Sequence, residues 1–322
     1  MSNISDGKIL HYMDRILGDQ KPIVADVFLT NYCNNKCPYC TYRRWELDKG
    51  ARYMSYADFV TYASRLEKLG VKGIILTGGG EPTLNKNFDD ICNWLNMMKY
   101  DWGINTNFNV LKLIKPNYLK VSLDGWDRES YVSSRGVDAY ETVRENIVSY
   151  AEWKKENSKS TSLGIQILVK SVSEVEKFYE ANKDLPVDYI VLRPMESTCG
   201  EYYKNILDLD SELHPTNIIA AVKRISSLDE RVVLNYKWNL LGHQESSCVA
   251  QWAQIALNEN GDVMYCCHKP YQIVGHITDE DILEKKARAI TNMSMCDIPC
   301  RMTAPNKEVA DFLAPKKDIS FI

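Results

Sequence analysis

Asn31-Tyr32-Cys33-Asn34-Asn35-Lys36-Cys37-Pro38-Tyr39-Cys40 places three cysteines with three and then two residues between them. It follows directly on Val24-Ala25-Asp26-Val27-Phe28-Leu29-Thr30, a short, partly β-branched run bounded by turn formers, which reads as a strand. Three thiolates this close can wrap one soft inorganic centre from a single loop. A purely structural centre would want a fourth cysteine, and the next in sequence is Cys92. Two readings follow. One is a zinc site, which when structural takes four ligands, usually from paired knuckles. The other is a [4Fe–4S] cluster with three irons held by protein and the fourth left open.

Outward from this loop the apolar period alternates between strand and helix. Ser55 caps a helix running to Leu69, with Phe59, Tyr62, Ala63, Leu66 and Leu69 on one face, and Gly70 ends it. A second strand, 71–77, leads into Gly78-Gly79-Gly80-Glu81-Pro82. A glycine triplet lets the backbone approach a ligand closely, and Glu81 suits a cationic partner rather than a phosphate. Helices over 87–98, 138–154 and 173–182 alternate with strands over 102–105, 118–123, 163–169 and 189–193. This period predicts an α/β fold: a partial (β/α)6 TIM-like barrel over residues 23–235, preceded by a leading helix (7–18) within residues 1–22. Barrel chemistry sits at the C-terminal ends of the strands. There lie the cysteine loop, Glu81, Asn105 to Asn107, Ser122 with Asp124, Gln166 and Arg193.

From about residue 236 the β/α period stops. Cys248 precedes a short apolar run, Asn258-Glu259-Asn260-Gly261-Asp262 is a hairpin turn signal, and the return strand reaches Cys266-Cys267. Cys296 and Cys300 follow a helix over 279–290. Residues 236–302 are therefore a small β-hairpin plus helix unit that can close four thiolates around one centre, and residues 303–322 are a terminal tail. On spacing alone, zinc and iron–sulfur are equal here. Cys92, within a helix, and Cys199, in a loop, ligate nothing.

The CxxxCxxC loop, with aromatic Tyr39 before its third cysteine, resembles the cluster loop of radical S-adenosylmethionine (SAM) enzymes. Gly78-Gly79-Gly80-Glu81-Pro82, one β/α unit later, resembles the stretch that holds the methionyl amino group of SAM in that family. The resemblance implies a [4Fe–4S] cluster on Cys33, Cys37 and Cys40, whose open iron takes the amino and carboxylate groups of SAM. It implies that Ser122 and Asp124 meet the ribose and that Arg135 pairs with the cofactor carboxylate, against a surface ion pair for Arg135. Tyr39, Asn105 and Gln166 join the cofactor-binding set, and Arg193 and Glu196 are candidates for substrate contact or catalysis, with a structural salt bridge the favoured alternative for each. The C-terminal cysteines resemble the twitch extension, a shortened relative of the SPASM domain. That implies one auxiliary [4Fe–4S] cluster on Cys248, Cys266, Cys296 and Cys300. Cys267 could replace Cys266, and His268 and His276 are further ligand candidates.

What the resemblance implies for activity is an oxidoreductase. SAM is cleaved to a 5′-deoxyadenosyl radical that abstracts a substrate hydrogen atom, and the auxiliary cluster takes an electron back. The net result is dehydrogenation of a small polyol, sugar or aminocyclitol. The alternative is radical modification of a peptide or protein by cross-linking, oxidation or epimerisation; a structural zinc or iron–sulfur module is the remote third reading. The short stretch before the barrel leaves no room for a leader-peptide-binding domain, which weighs towards a small substrate. A flavodoxin- or ferredoxin-type electron donor is implied as partner.

Composition is that of a globular chain: 322 residues, 45% hydrophobic and 25% charged. A net charge of −4 gives no electrostatic reason to expect nucleic acid or an anionic membrane. No stretch approaches the roughly 20 apolar residues that cross a bilayer, and the N-terminus lacks signal-peptide features. With ten cysteines better read as metal ligands than as disulfides, the expected location is the cytoplasm.

Overall fold

The computed structural model describes residues 8–40, 42, 50–195, 208–234, 248–289 and 302–314. Seven strands run in parallel and in chain order: β1 (Val24–Phe28), β2 (Gly73–Thr77), β3 (Asp101–Thr106), β4 (Tyr118–Ser122), β5 (Ser162–Val169), β6 (Tyr189–Pro194) and β7 (Val232–Leu234). The first six are the predicted ones. The seventh is too short to show a period of its own and is held by pairing along β6. Alternate residues of β2 and β4 are buried, so these strands present one face to the apolar layer beneath the helices and the other to the barrel interior.

The helices cover the outside: α1 (Tyr56–Lys68), α2 (Phe88–Met97), α3 (Arg128–Arg135), α4 (Tyr140–Asn157), α5 (Val172–Asn182) and α6 (Pro215–Leu228). Ser55 caps α1 by accepting from the Asp58 N–H, and Phe59, Tyr62, Ala63 and Leu66 are buried, as the spacing requires. The leading segment differs from its predicted regular helix. It forms a 3₁₀ turn (Lys8–Tyr12) and then a π turn (Arg15–Asp19), closed by Gln20 at φ 52°. Arg15 reaches from it to the carbonyls of Pro22 and Gly70, so tertiary bonds rather than helix propensity set its shape.

The C-terminal hairpin forms about its predicted turn: Asn258 N–H donates to the Asp262 carbonyl and Gly261 N–H to the Asn258 carbonyl. Its strands, β8 (Gln254–Leu257) and β9 (Asp262–Met264), do not stand apart from the barrel. β8 runs parallel to β1, from Val24↔Gln254 to Val27↔Leu257, and β10 (Ile273–His276) completes the order β10-β9-β8-β1-β2-β3-β4-β5-β6-β7. The pairing satisfies the edge of β1 that β2 leaves open, and it buries all four residues of β8. Among the described residues two helices follow, α7 (Ile282–Arg288) and α8 (Thr303–Leu313), the latter lying in the stretch expected only as a tail. Among the described residues no helix is long and apolar enough to cross a membrane. The predicted site residues Glu196, Cys296 and Cys300 lie outside the described residues.

Asn182, fully buried at the end of α5, ties the outer layer to the sheet. Its amide donates to the carbonyls of Gly125 and Phe178, and its Oδ1 accepts from Tyr140 and Arg144. An Asn182→Ala change leaves these groups unpaired and is expected to lower unfolding free energy by about 1–3 kcal/mol, measured by urea denaturation.

Candidate functional site

A cavity of about 540 Å³ opens at the C-terminal ends of β1–β4. Cys33, Cys37 and Cys40 line it together with Gly78, Gly79, Gly80, Glu81, Asn105, Ser122 and Arg135, all predicted site residues. Tyr39, Asp124, Gln166 and Arg193 are not in that lining. Tyr39 and Asp124 instead face a second, more polar cavity on the other side of the cysteine loop. Arg193 donates to Gln166 Oε1 at 3.2 Å.

The cysteine loop has no secondary structure of its own, and its conformation is imposed from beneath. Asp124, buried and at φ 32°, forms an ion pair with Arg135, accepts from the Tyr39 hydroxyl at 2.9 Å and accepts from the Leu168 N–H at 2.8 Å. Arg135 Nη1 donates to Cys37 Sγ at 3.5 Å, and the Arg135 carbonyl accepts from the Lys36 N–H at 2.8 Å. The ion pair is thus buried, not the surface pair weighed for Arg135. Gly136 ends α3 at φ 70° within contact of Lys36, where a Cβ would lie 2.7 Å from the Lys36 carbonyl oxygen. α3 itself follows from Asp127 and Ser130, which cap it reciprocally.

Asparagines hold the other side. Asn107 Nδ2 donates to Asn34 Oδ1 at 2.7 Å and contacts Cys33 Sγ at 3.8 Å, and Asn109 Nδ2 donates to Asn35 Oδ1 at 2.7 Å. Asn107 also fixes Glu81 by donating its N–H to Oε2 at 2.7 Å. Thr106 and Thr83 supply Oε1 with hydroxyls at 2.6 and 2.8 Å, and the Thr83 N–H adds a fourth donor at 3.2 Å. Burial raises the Glu81 pKa, and these donors oppose the shift. The glycine run has a packing reason too. A Cβ on Gly80 would lie 2.0 Å from the Tyr32 carbonyl oxygen, which accepts the Glu81 N–H at 2.8 Å. Asn107 entered the prediction only within the run Asn105 to Asn107 at the strand ends, without a role, and Asn109 is absent from it; the paired Asn34-Asn35 and Asn107-Phe108-Asn109 were the available signal.

Although Cys33 opens onto the cavity, surrounding protein desolvates its thiol and pushes its pKa up to about 12; Glu81, Cys37 and Cys40 add to the rise, while the Asn35 N–H opposes it. Burial also raises Cys37, against the Arg135 charge. Cys33, Cys37 and Cys40 line one cavity and are the soft donor type a metal centre takes, although among the described residues no three ligand-type side chains are gathered closely enough to hold a metal ion as they stand. Asn105 Oδ1, buried in the same wall, finds no hydrogen-bond partner among the described residues and can accept from a ligand.

Of the C-terminal cysteines, Cys267 lies close to the segment that follows the cysteine loop. Tyr42, two residues beyond Cys40, donates to the Cys267 carbonyl, and both pack on Phe28, Ala256 and Met264. Cys248 Sγ accepts from Asn306 Nδ2 at 3.4 Å. His276 has both ring nitrogens engaged, by Thr278 Oγ1 at 2.6 Å and the Asn260 carbonyl at 3.0 Å.

Removing Asp124 strands the buried Arg135 charge and releases Tyr39. Asp124→Ala is expected to cost about 3–5 kcal/mol in urea unfolding, and an Asp124→Leu/Arg135→Met pair to recover much of that loss.

The model of the radical SAM superfamily matches residues 27–181. A probable GTP 3′,8-cyclase of Saccharolobus islandicus is 30% identical over 175 residues, covering 52% of this chain and 54% of the relative. Its counterpart in Pyrococcus horikoshii is 30% identical over 128 residues, covering 38% of this chain and 40% of the relative. The chain thus matches about half the length, or less, of these curated relatives. Among solved structures, Streptococcus suis SuiB bound to the precursor peptide SuiA has a TM-score of 0.62 at 14% identity, over 85% of this chain and 67% of that one. anSMEcpe with bound AdoMet has a TM-score of 0.57 at 16% identity, over 85% and 82%.

Proposed function

The chain carries a radical SAM domain over residues 27–181, and from that premise we propose that it is a radical SAM oxidoreductase with a second, C-terminal iron–sulfur centre. The superfamily implies a [4Fe–4S] cluster and SAM. The observation that carries the reading is the convergence of Cys33, Cys37 and Cys40 with the glycine run and Glu81 on one cavity. When bound, these groups supply hydrogen-atom abstraction by a 5′-deoxyadenosyl radical, and a second cluster supplies an acceptor that makes the net change a two-electron oxidation.

The chain's own residues bind, orient and shield. Cys33, Cys37 and Cys40 would hold three irons. The Arg135 guanidinium beside Cys37 offsets thiolate charge, and Asp124 keeps that guanidinium and Tyr39 in place. Glu81, fixed by four donors, presents its carboxylate edge to the cavity without rearranging, as a preorganised partner for an ammonium group. Asn105 Oδ1 and Ser122 add polar contacts from the β3 and β4 ends. Gln166 pairs with Ser122 in register and receives Arg193, and Lys120, two residues before Ser122 on β4, shares its face. This polar interior supports a hydroxyl-rich substrate such as a polyol, sugar or aminocyclitol.

For the second centre, Cys248 and Cys266 both act on the charge of one buried lysine, Lys286, whereas Cys267 packs against Phe28 and Tyr42. That favours Cys248 and Cys266, completed by Cys296 and Cys300. Flavodoxin or ferredoxin is the expected class of electron donor, and free thiols suit a reducing compartment, the cytoplasm. Peptide modification is the second reading, drawn from the fold likeness to a peptide-bound enzyme.

Anaerobically reconstituted protein is expected to hold about eight irons and as many acid-labile sulfides, falling to about four in a Cys33/Cys37/Cys40→Ala variant. The variant should also lose 5′-deoxyadenosine formation from SAM under reduction. About four irons falling to none, with zinc in the remainder, would overturn the second centre and with it the two-electron oxidation.

A further inference from the structure

Few protein donors reach the sulfurs of the cysteine loop. Cys33 Sγ accepts from the Asn35 N–H at 3.4 Å and lies 3.8 Å from Asn107 Nδ2, and both of those donors are neutral. Cys37 Sγ accepts from Arg135 Nη1 at 3.5 Å. Among the described residues Arg135 is therefore the charged side chain that donates to a loop sulfur. A guanidinium does not lose its proton in a protein, so this charge is permanent. It is also withdrawn from water: Arg135 is 9% exposed and its partner Asp124 4%.

Two further bonds hold the guanidinium against the sulfur. Nη2 pairs with Asp124, whose contacts with the Tyr39 hydroxyl and the Leu168 N–H keep that carboxylate from turning away. The Arg135 carbonyl accepts from the Lys36 N–H at 2.8 Å, which docks the end of α3 one residue from Cys37. With Nη2 on the carboxylate and Nη1 on the sulfur, the ion pair is a dipole whose positive end faces Cys37. Arg135 accordingly acts on that thiol more strongly than Asp124 does. The family resemblance pairs this arginine with the carboxylate of SAM, yet both of its terminal nitrogens are engaged by the protein.

We propose that Arg135, aimed by Asp124, raises the reduction potential of the iron–sulfur centre at Cys33, Cys37 and Cys40 through a charged N–H···S bond to Cys37. This rests on the reading of those three cysteines as cluster ligands. Their spread fits that reading. A four-iron cluster holds its ligand sulfurs farther apart than a single ion does, and no grouping tight enough for one ion is present among the described residues. Such a centre carries thiolate charge and gains one more negative charge when it takes an electron from a flavin or iron–sulfur donor protein. A fixed cation bonded to a ligand sulfur stabilises the reduced form more than the oxidised one, and so raises the potential. Arg135 thereby determines how strong a reductant the protein needs before SAM can be cleaved.

The test uses the full chain, reconstituted anaerobically, and follows the EPR signal of the reduced centre in a redox titration without SAM. That signal is assigned by its absence from a Cys33/Cys37/Cys40→Ala variant. The neutral variant is the Asp124→Leu/Arg135→Met pair, which strands no carboxylate; Arg135→Lys keeps the charge and gives up the two-armed contact. The potential is expected to shift to lower values in the pair, and by less in Arg135→Lys. SAM affinity is measured alongside by equilibrium dialysis. An unchanged potential in the iron-replete pair overturns the proposal, and a fall in SAM affinity with it returns Arg135 to the cofactor carboxylate. If the pair loses its iron, Arg135→Lys decides by the same criterion. Loss of iron from both variants overturns the proposal, since the ion pair then retains the centre rather than setting its potential. A parent protein with no iron–sulfur centre at the three cysteines removes the ligand reading itself, an outcome distinct from an unchanged potential.

Discussion

Asp124 and Arg135 meet at the mouth of the barrel, buried, and the cysteine loop is built on that ion pair. One carboxylate binds the Arg135 guanidinium, the Tyr39 hydroxyl and the Leu168 N–H, which belong respectively to a helix, the loop and β5. Arg135 passes the constraint on through its side chain to Cys37 and through its carbonyl to Lys36. A buried ion pair contributes little net stability, since desolvation offsets the attraction. It does contribute geometry: few arrangements satisfy both charges, and the loop is bonded to the pair through Tyr39, Lys36 and Cys37.

The same logic governs Glu81. Four donors surround its carboxylate, two of them backbone N–H groups whose positions the fold determines. The orientation of this group is settled before any ligand arrives, so binding need not bear the entropy of ordering it. Gly80 permits the close approach of the Glu81 segment to Tyr32, which locks the glycine run to the cysteine loop. The cavity-lining elements that follow β1, β2 and β3 are therefore one connected body.

The C-terminal hairpin extends this body. β8 pairs with β1, the strand that leads into the first cysteine group, and β9 leads into Cys266. Tyr42 and Cys267 meet over Phe28, so Cys267 is held beside the segment that follows the first cysteine group. A second centre at Cys248 and Cys266 would share the barrel's rigidity, which suits electron transfer between fixed positions.

Much was legible in the sequence because it is local. The six strands have a short apolar signature, Ser55 and Gly70 mark the ends of α1, Asn258–Asp262 specifies its turn, and the cysteine loop and Gly-Gly-Gly-Glu-Pro are contiguous motifs. What escaped is either weakly patterned or non-local. β7 has three residues and exists by pairing with β6; α3 is short, announced only by Asp127 and Ser130; and the leading segment bends to satisfy Arg15. Nothing in the spacing of residues 39, 124 and 135 tells that one carboxylate joins them, or that Asn107 serves both Glu81 and the loop. Nor does it tell that β8 extends the sheet beside β1 or that α8 brings Asn306 to Cys248. The sequence by itself determined which chemistry the chain can carry, because ligand type and spacing are properties of short segments. Only the tertiary structure decided how those ligands are held and charged, because buried ion pairs, shared acceptors and strand neighbours are fixed by the closing of long loops.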